Sequence, residues 1–167
     1  MNTQNISPTD RPVERWFSAY SKDHQHPLNQ RLHVFCVPAI VWSLMAILYA
    51  VPTPDALAAA LPPFGMLAAV LAALSLMFWL WMSLPLGLGI AVLTVAGLWV
   101  NALILDAMGS MALLAIGVAV FIIAWIGQFI GHRIEGRRPS FFTDLVYLMI
   151  GPPWVLAKAY RSLGLRW

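Results

Sequence analysis

The chain is poor in cysteine and poor in charge. Its one cysteine, Cys36, lies inside an apolar segment, which excludes a disulfide within the chain and leaves a small buried hydrophobe as the ordinary role. Only 10% of the 167 residues are charged and 60% are hydrophobic, against roughly 25% charged in soluble domains. With a mean hydropathy of +0.76, this composition points to a membrane protein. Lys and Arg outnumber Asp and Glu by 10 to 7, but no basic patch interleaves with aromatics on a polar surface, so nucleic acid is excluded as a partner. The basic residues instead flank apolar segments. No charge falls at the middle of any such segment, which argues against a proton- or ion-coupled transporter. There is no internal repeat.

What the chain does have is long apolar runs. About 20 apolar residues are needed for a helix to cross a hydrocarbon core of about 30 Å, and four segments qualify: Val34 to Val51, Phe64 to Met82, Leu84 to Leu105 and Met111 to Gly131. The join at Ser83 to Pro85 is the least marked. Every Lys and Arg precedes the first segment (Arg11, Arg15, Lys22, Arg31) or follows the fourth (Arg133, Arg137, Arg138, Lys158, Arg161, Arg166), and the loops between carry only Asp55 and Asp106. The positive-inside rule then puts both ends in the cytoplasm, which requires an even number of crossings. The expected architecture is an all-α integral membrane protein in a single domain, residues 1–167, with four transmembrane helices in 34–131. A cytoplasmic segment, 1–33, precedes them, and since it is mostly polar the first apolar segment reads as a retained anchor rather than a cleaved signal. A cytoplasmic or interfacial segment, 132–167, follows. Within it FFTDLVYLMIGPPWVLAKAY is broken by Gly151, Pro152 and Pro153, which predicts two interfacial or re-entrant helical pieces packed on the bundle. Trp16, Phe17 and Tyr20 form an aromatic cluster of the kind found at membrane interfaces. Asn101 and Thr94 in the third segment read as helix-packing polar groups.

Three of the four histidines stand together in HQHPLNQRLH, at residues 24–33, and the fourth is His132. Pro27 is suited to open a helix, with His26 near its cap. Asn29 and His33 then share one helix face, and His24 lies in the preceding turn. Gln128, His132 and Glu135 follow the spacing i, i+4, i+7 and share another face. An even number of crossings returns the chain to the membrane face it left, so all four histidines lie on that face. If the first and fourth helices are neighbours, the two faces meet. Three imidazoles from two elements can hold a divalent metal with open positions, and imidazole suits iron, copper, nickel and zinc alike. Glu135 and Asp144 are the carboxylates placed to orient ring nitrogens, with Glu135 and His26 as further candidate ligands. The motifs H-x-x-x-H and H-E-x-x-H are absent, and His132 with Glu135 is a weak H-x-x-E pair. A carboxylate-bridged di-iron bundle needs about four carboxylates and two histidines, more acids than this face offers. Four histidines also cannot fill the two-metal site of the histidine-rich membrane desaturases.

HQHPLNQRLHVFCVP together with WIGQFIGHRIEGRRPSFFTDLVYLMIGPPWVL resembles a membrane family, long described only as a domain of unknown function, whose fungal member is an iron-dependent 2-hydroxy fatty acid dioxygenase. The resemblance runs over about residues 16 to 160. His24, Asn29 and His33 match its first motif; Gln128, His132, Glu135 and Pro139 match its second. The chain departs from the pattern at His26, where asparagine is common, and is one residue shorter than the fungal sequence between His132 and Pro139. It is closer to the bacterial branch, which implies a bacterial inner membrane, or the endoplasmic reticulum in a eukaryote. The resemblance implies iron(II) held by His24, His33 and His132, with Glu135 as a further catalytic residue and Asn29, Gln128 and Asp144 supporting the ligands. It further implies dioxygen and a 2-hydroxy fatty acid as substrates, with membrane lipid around them, and α-oxidation as the chemistry: cleavage between C1 and C2 gives an acid one carbon shorter. Arg137, Arg138 or Lys158 would steer the substrate carboxylate. Two other readings use the same residues: a non-catalytic four-helix membrane protein that binds lipid or organises partners, and a zinc-dependent lipid hydrolase.

Overall fold

The computed structural model describes residues 11–22, 24–136 and 141–167, and of residues 141–147 the backbone alone. The described residues are helical almost throughout: α1 (Pro12–Lys22), α2 (Pro27–Tyr49), α3 (Met66–Met82), α4 (Leu84–Met108), α5 (Ser110–Glu135) and α6 (Phe141–Ser162). A short 3₁₀ turn, Asp55–Leu57, lies between α2 and α3. Local chemistry sets the boundaries. Pro12 and Pro27 each occupy a first turn, where a missing N–H costs nothing. His26 caps α2, its Nδ1 accepting from the Leu28 amide at 3.2 Å. Ser83 is extended between α3 and α4, and Pro85 follows in the first turn of α4, so the weakly marked join is a true break. Gly136, at φ 74°, ends α5 in the left-handed conformation common after helices.

Three helices are long and apolar enough to cross a membrane: α2, α4 and α5, with 23, 25 and 26 residues. The sequence predicts a fourth crossing where α3 stands. That helix is apolar but has 17 residues, and at 1.5 Å per residue it reaches about 25 Å, at the short end for a crossing. The C-terminal segment differs from expectation. Gly151, Pro152 and Pro153 do not divide it, and α6 runs unbroken from Phe141 to Ser162 with both prolines inside. Each proline removes one hydrogen bond to the preceding turn, and packing on both sides holds the helix through the gap. Ile150, Pro153 and Trp154 are buried. A Cβ on Gly151 would stand 3.0 Å from Val37 Cγ1 and 3.3 Å from the Tyr20 hydroxyl, so glycine is what lets α6 lie so near α1 and α2.

The arrangement of side chains is inverted relative to a soluble protein. Phe35, Trp81 and Met111 are 76%, 77% and 76% exposed, while Asn29, His33, Ser43, Asn101 and Gln128 are buried. Lipid offers no penalty to apolar side chains, so close fit and hydrogen bonding decide what lies inside. The largest helix interface joins α2 to α5, and small residues make it close. Cβ atoms on Gly117 and Gly127 would come within 3.1 Å of Ile47 Cγ1 and 2.6 Å of Cys36 Sγ, and one on Gly131 would collide with the Asn29 side chain. A second cluster, built on Phe17, Tyr20, Trp79, Leu86, Ile150 and Trp154, binds α1, α3, α4 and α6 together. The aromatic cluster expected at the N-terminus therefore divides, with Phe17 and Tyr20 buried and Trp16 exposed.

Replacing Gly127 by Val should lower the thermal midpoint in detergent micelles by the equivalent of about 1–3 kcal/mol, the usual cost of overpacking. Ile123→Ala, at a residue 68% exposed, should change it by less than about 0.5 kcal/mol.

Candidate metal centre

The α2–α5 interface ends in a buried cluster of three histidines. His24 comes from the turn before α2, His33 from the second turn of α2 and His132 from the last turn of α5. All three are buried, and one ring nitrogen from each lies within 4.8 Å of the others. Ring centroids are 4.3 Å apart for His24 and His33, 5.3 Å for His33 and His132, and 5.6 Å for His24 and His132. A small cavity of about 30 Å³ opens among them, with Val37, Ile40 and Leu148 on its apolar side and Tyr20, Trp125 and Gln128 completing the wall.

Backbone carbonyls fix the orientation of two of the rings. Nδ1 of His24 donates to the Tyr20 carbonyl at 2.7 Å, and Nδ1 of His33 to the Asn29 carbonyl at 2.9 Å. A carbonyl only accepts, so both Nδ1 atoms carry the proton and both neutral rings present a bare Nε2. These two Nε2 atoms face each other at 3.0 Å. Two lone pairs at that distance repel unless a cation or a proton stands between them. A proton serves one pair of nitrogens, whereas a metal ion serves all three. Two nitrogens on one ion, each at about 2.1 Å, stand about 3 Å apart at a right angle and about 3.4 Å apart at the tetrahedral angle. The donor set therefore suits a divalent metal.

The histidines are held from two sides. On one, the Glu135 carboxylate accepts from the Gln25 amide at 2.8 Å, from the His26 amide at 2.9 Å and from Asn29 Nδ2 at 2.9 Å. A carboxylate there satisfies amides that a helix start leaves unpaired and complements its positive end. On the other, Gln30 Nε2 donates to the His24 carbonyl at 2.7 Å, and its Oε1 accepts from Lys158 Nζ at 2.8 Å. Lys158 also lies 3.7 Å from the centre of the Trp154 ring, and the Trp154 indole donates to Ser21 Oγ at 3.0 Å. Tyr20 stacks on His24 with centroids 4.1 Å apart and planes 12° from parallel.

The residues singled out in the sequence thus fall into groups. His24, His33 and His132 converge. Gln128 lines their cavity. Asn29 supports the site twice, through its carbonyl to His33 and its amide to Glu135. Glu135, read as a carboxylate to orient ring nitrogens and as a candidate ligand, has its oxygens on the start of α2. His26 is exposed and caps that helix. Lys158 is engaged by Gln30 and Trp154. Arg137, Arg138, Pro139 and the Asp144 side chain lie outside the described residues. Sequence reasoning missed Tyr20 and Trp125 as site residues, and Gln30 and Trp154 as braces. The signals were present: Tyr20 is four residues before His24 on the apolar face of α1 with Val13 and Phe17, and Trp125 is seven before His132.

Fold and cluster together define an all-helical membrane protein with a buried three-histidine centre. Residues 11–163 match the model of the Mpo1-like family, described as 2-hydroxy-palmitic acid dioxygenase Mpo1-like. The chain is 30% identical over 147 residues to 2-hydroxy-palmitic acid dioxygenase MPO1 of Saccharomyces cerevisiae, covering 87% of this chain and 78% of that one. It belongs to the Mpo1-like family. No solved structure matches it.

Glu135→Ala should destabilise the protein by about 1–2 kcal/mol, the cost of an N-terminal helix cap, and speed amide exchange at Gln25 and His26. Glu135→Gln, which keeps one acceptor oxygen, should lose less. Burial, with Arg161 adding repulsion, lowers the Lys158 pKa from 10.5 to about 8. Between those values the unfolded chain binds the extra proton, so stability should rise with pH across that window and carry the full penalty below it. Denaturation at a series of pH values should show this slope, and Lys158→Met should flatten it.

Proposed function

We propose that this chain is an iron(II)-dependent dioxygenase that cleaves the C1–C2 bond of 2-hydroxy fatty acids to give the acid one carbon shorter. The observation that carries the reading is the convergence of the buried His24, His33 and His132 around a small cavity. It occurs in a chain whose yeast relative is named a 2-hydroxy-palmitic acid dioxygenase. The stoichiometry closes without a further reductant. A 2-hydroxy acid and one dioxygen give the shortened acid, carbon dioxide and water; the hydroxyl-bearing carbon rises to a carboxyl, C1 leaves as carbon dioxide, and dioxygen accepts four electrons in all.

His24, His33 and His132 would hold iron(II), and bound iron would supply the redox chemistry that joins substrate and dioxygen. The chain's own residues do the rest. The Tyr20 and Asn29 carbonyls keep Nε2 of His24 and His33 unprotonated. Val37, Ile40 and Leu148 keep bulk water from the apolar side. A cavity of about 30 Å³ is far too small for an acyl chain, one water-sized probe filling about 10–15 Å³, so the chain extends out of it among apolar side chains. The distribution of Lys and Arg supports both ends of the chain and the site lying on the cytoplasmic side, and the likeness to the bacterial branch supports a bacterial inner membrane. A short α3 then completes four crossings by local thinning of the bilayer.

Anaerobic reconstitution should load about one equivalent of iron(II) per chain, and His33→Ala or His132→Ala should bind less than about a tenth of that. The loaded protein with 2-hydroxypalmitic acid and isotopically labelled dioxygen should give the shortened acid carrying label. Intact substrate from an iron-loaded protein would overturn the reading, as would full iron retention in both variants.

A further inference from the structure

Two hydrogen-bond donors beside the histidines have no acceptor among the described residues. Gln128 and Trp125 line the cavity from α5, four and seven residues before His132 and on its side of the helix. Gln128 Nε2 and the Trp125 indole Nε1 are buried, and neither has a hydrogen-bond partner among the described residues. Gln128 is 4% exposed, and the Trp125 ring is flanked by Phe121 and Phe129 at centroid distances of 6.1 and 5.5 Å. Buried N–H groups without an acceptor are rare, because each forfeits its hydrogen bond to water. An N–H cannot ligate a cation, so these two groups do not serve the metal. Both need an acceptor. Val37, Ile40 and Leu148 offer none, the Nε2 atoms of His24 and His33 face each other, and neither donor makes a hydrogen bond to Tyr20 or His132, which complete the wall. A ligand in the cavity can bring the acceptor.

A 2-hydroxy acid that binds a metal through its hydroxyl and one carboxylate oxygen keeps its second carboxylate oxygen, which carries negative charge and accepts strongly. Lys158, the cation expected to meet it, is instead hydrogen-bonded to Gln30 and seated on Trp154. We propose that Gln128 and Trp125 are the carboxylate-recognition residues of the site, donating through Nε2 and Nε1 to the carboxylate oxygen that does not bind the metal. This inference rests on the 2-hydroxy acid reading above. Neutral donors in a small cavity fix the head group by direction rather than by long-range charge, and they discriminate an acid from an alcohol of the same length.

The test is equilibrium binding, under argon so that no turnover occurs, of 2-hydroxypalmitic acid and of the corresponding vicinal diol to the purified, iron(II)-loaded full chain. Trp125→Phe removes one N–H and keeps the ring; Gln128→Leu removes the other, and Gln128→Glu replaces a donor by a like charge. Each should weaken acid binding about tenfold or more, as expected for a hydrogen bond to a charged group, with Gln128→Glu the most severe. Diol affinity should change less than about twofold, and iron content not at all, because the diol lacks the accepting oxygen. Parallel losses for acid and diol would overturn the inference by assigning the residues to packing. Loss of iron in the variants, or unchanged acid binding in all three, would overturn it equally. Failure of the wild-type protein to bind the acid while holding iron would instead remove the 2-hydroxy acid reading and this inference with it.

Discussion

The carboxylate of Glu135 is the contact on which the site depends. It ends α5 and meets the start of α2, where amides have no partner within the helix and the helix dipole is positive. His132 stands three residues before Glu135, and His33 lies in the second turn of the helix that Glu135 caps. One hydrogen-bonded carboxylate therefore sets the relative position of two imidazoles from opposite ends of the chain. It also sets the third. With the Gln25 and His26 amides pinned, His24 has little freedom, and Gln30 reaches back to its carbonyl to remove what remains.

This arrangement is affordable because the surroundings are not water. In lipid, apolar side chains gain little by turning inward, so the interior is free for glycine, asparagine, glutamine and histidine. The small residues of α5 bring its backbone against α2, and the polar groups that follow find partners at close range. Burial strips water from the histidines, and the Tyr20 and Asn29 carbonyls replace it at Nδ1. The Nε2 atoms of His24 and His33 turn toward one another. Two charged residues, Glu135 and Lys158, brace the site from opposite sides.

Much of this was legible in the sequence, and the exceptions share a cause. Apolar length located the main helices, and Pro27 marked the start of α2. The helical spacing of Asn29 with His33, and of Gln128, His132 and Glu135, placed these residues on two faces, and the histidines of both faces lie together in the fold. Periodicity describes one helix at a time. It gave no reason for Gly151, Pro152 and Pro153 to sit inside a continuous α6, since the packing that holds the helix through them comes from Val37 and Tyr20 on other elements. Nor could it separate a carboxylate that binds metal from one that caps a neighbouring helix, because both uses of Glu135 need the same residue on the same face.

The sequence by itself determined that the chain is helical and apolar enough for a membrane, and which two short stretches carry its polar chemistry. These follow from composition and from spacing along one chain, which local backbone geometry converts directly into faces and ends. Only the tertiary structure decided which imidazole nitrogens are bare, which polar groups are braces and which donors remain unsatisfied. Those properties belong to pairs of atoms about 3 Å apart on different helices, and nothing along the chain encodes a distance across it until the helices are packed.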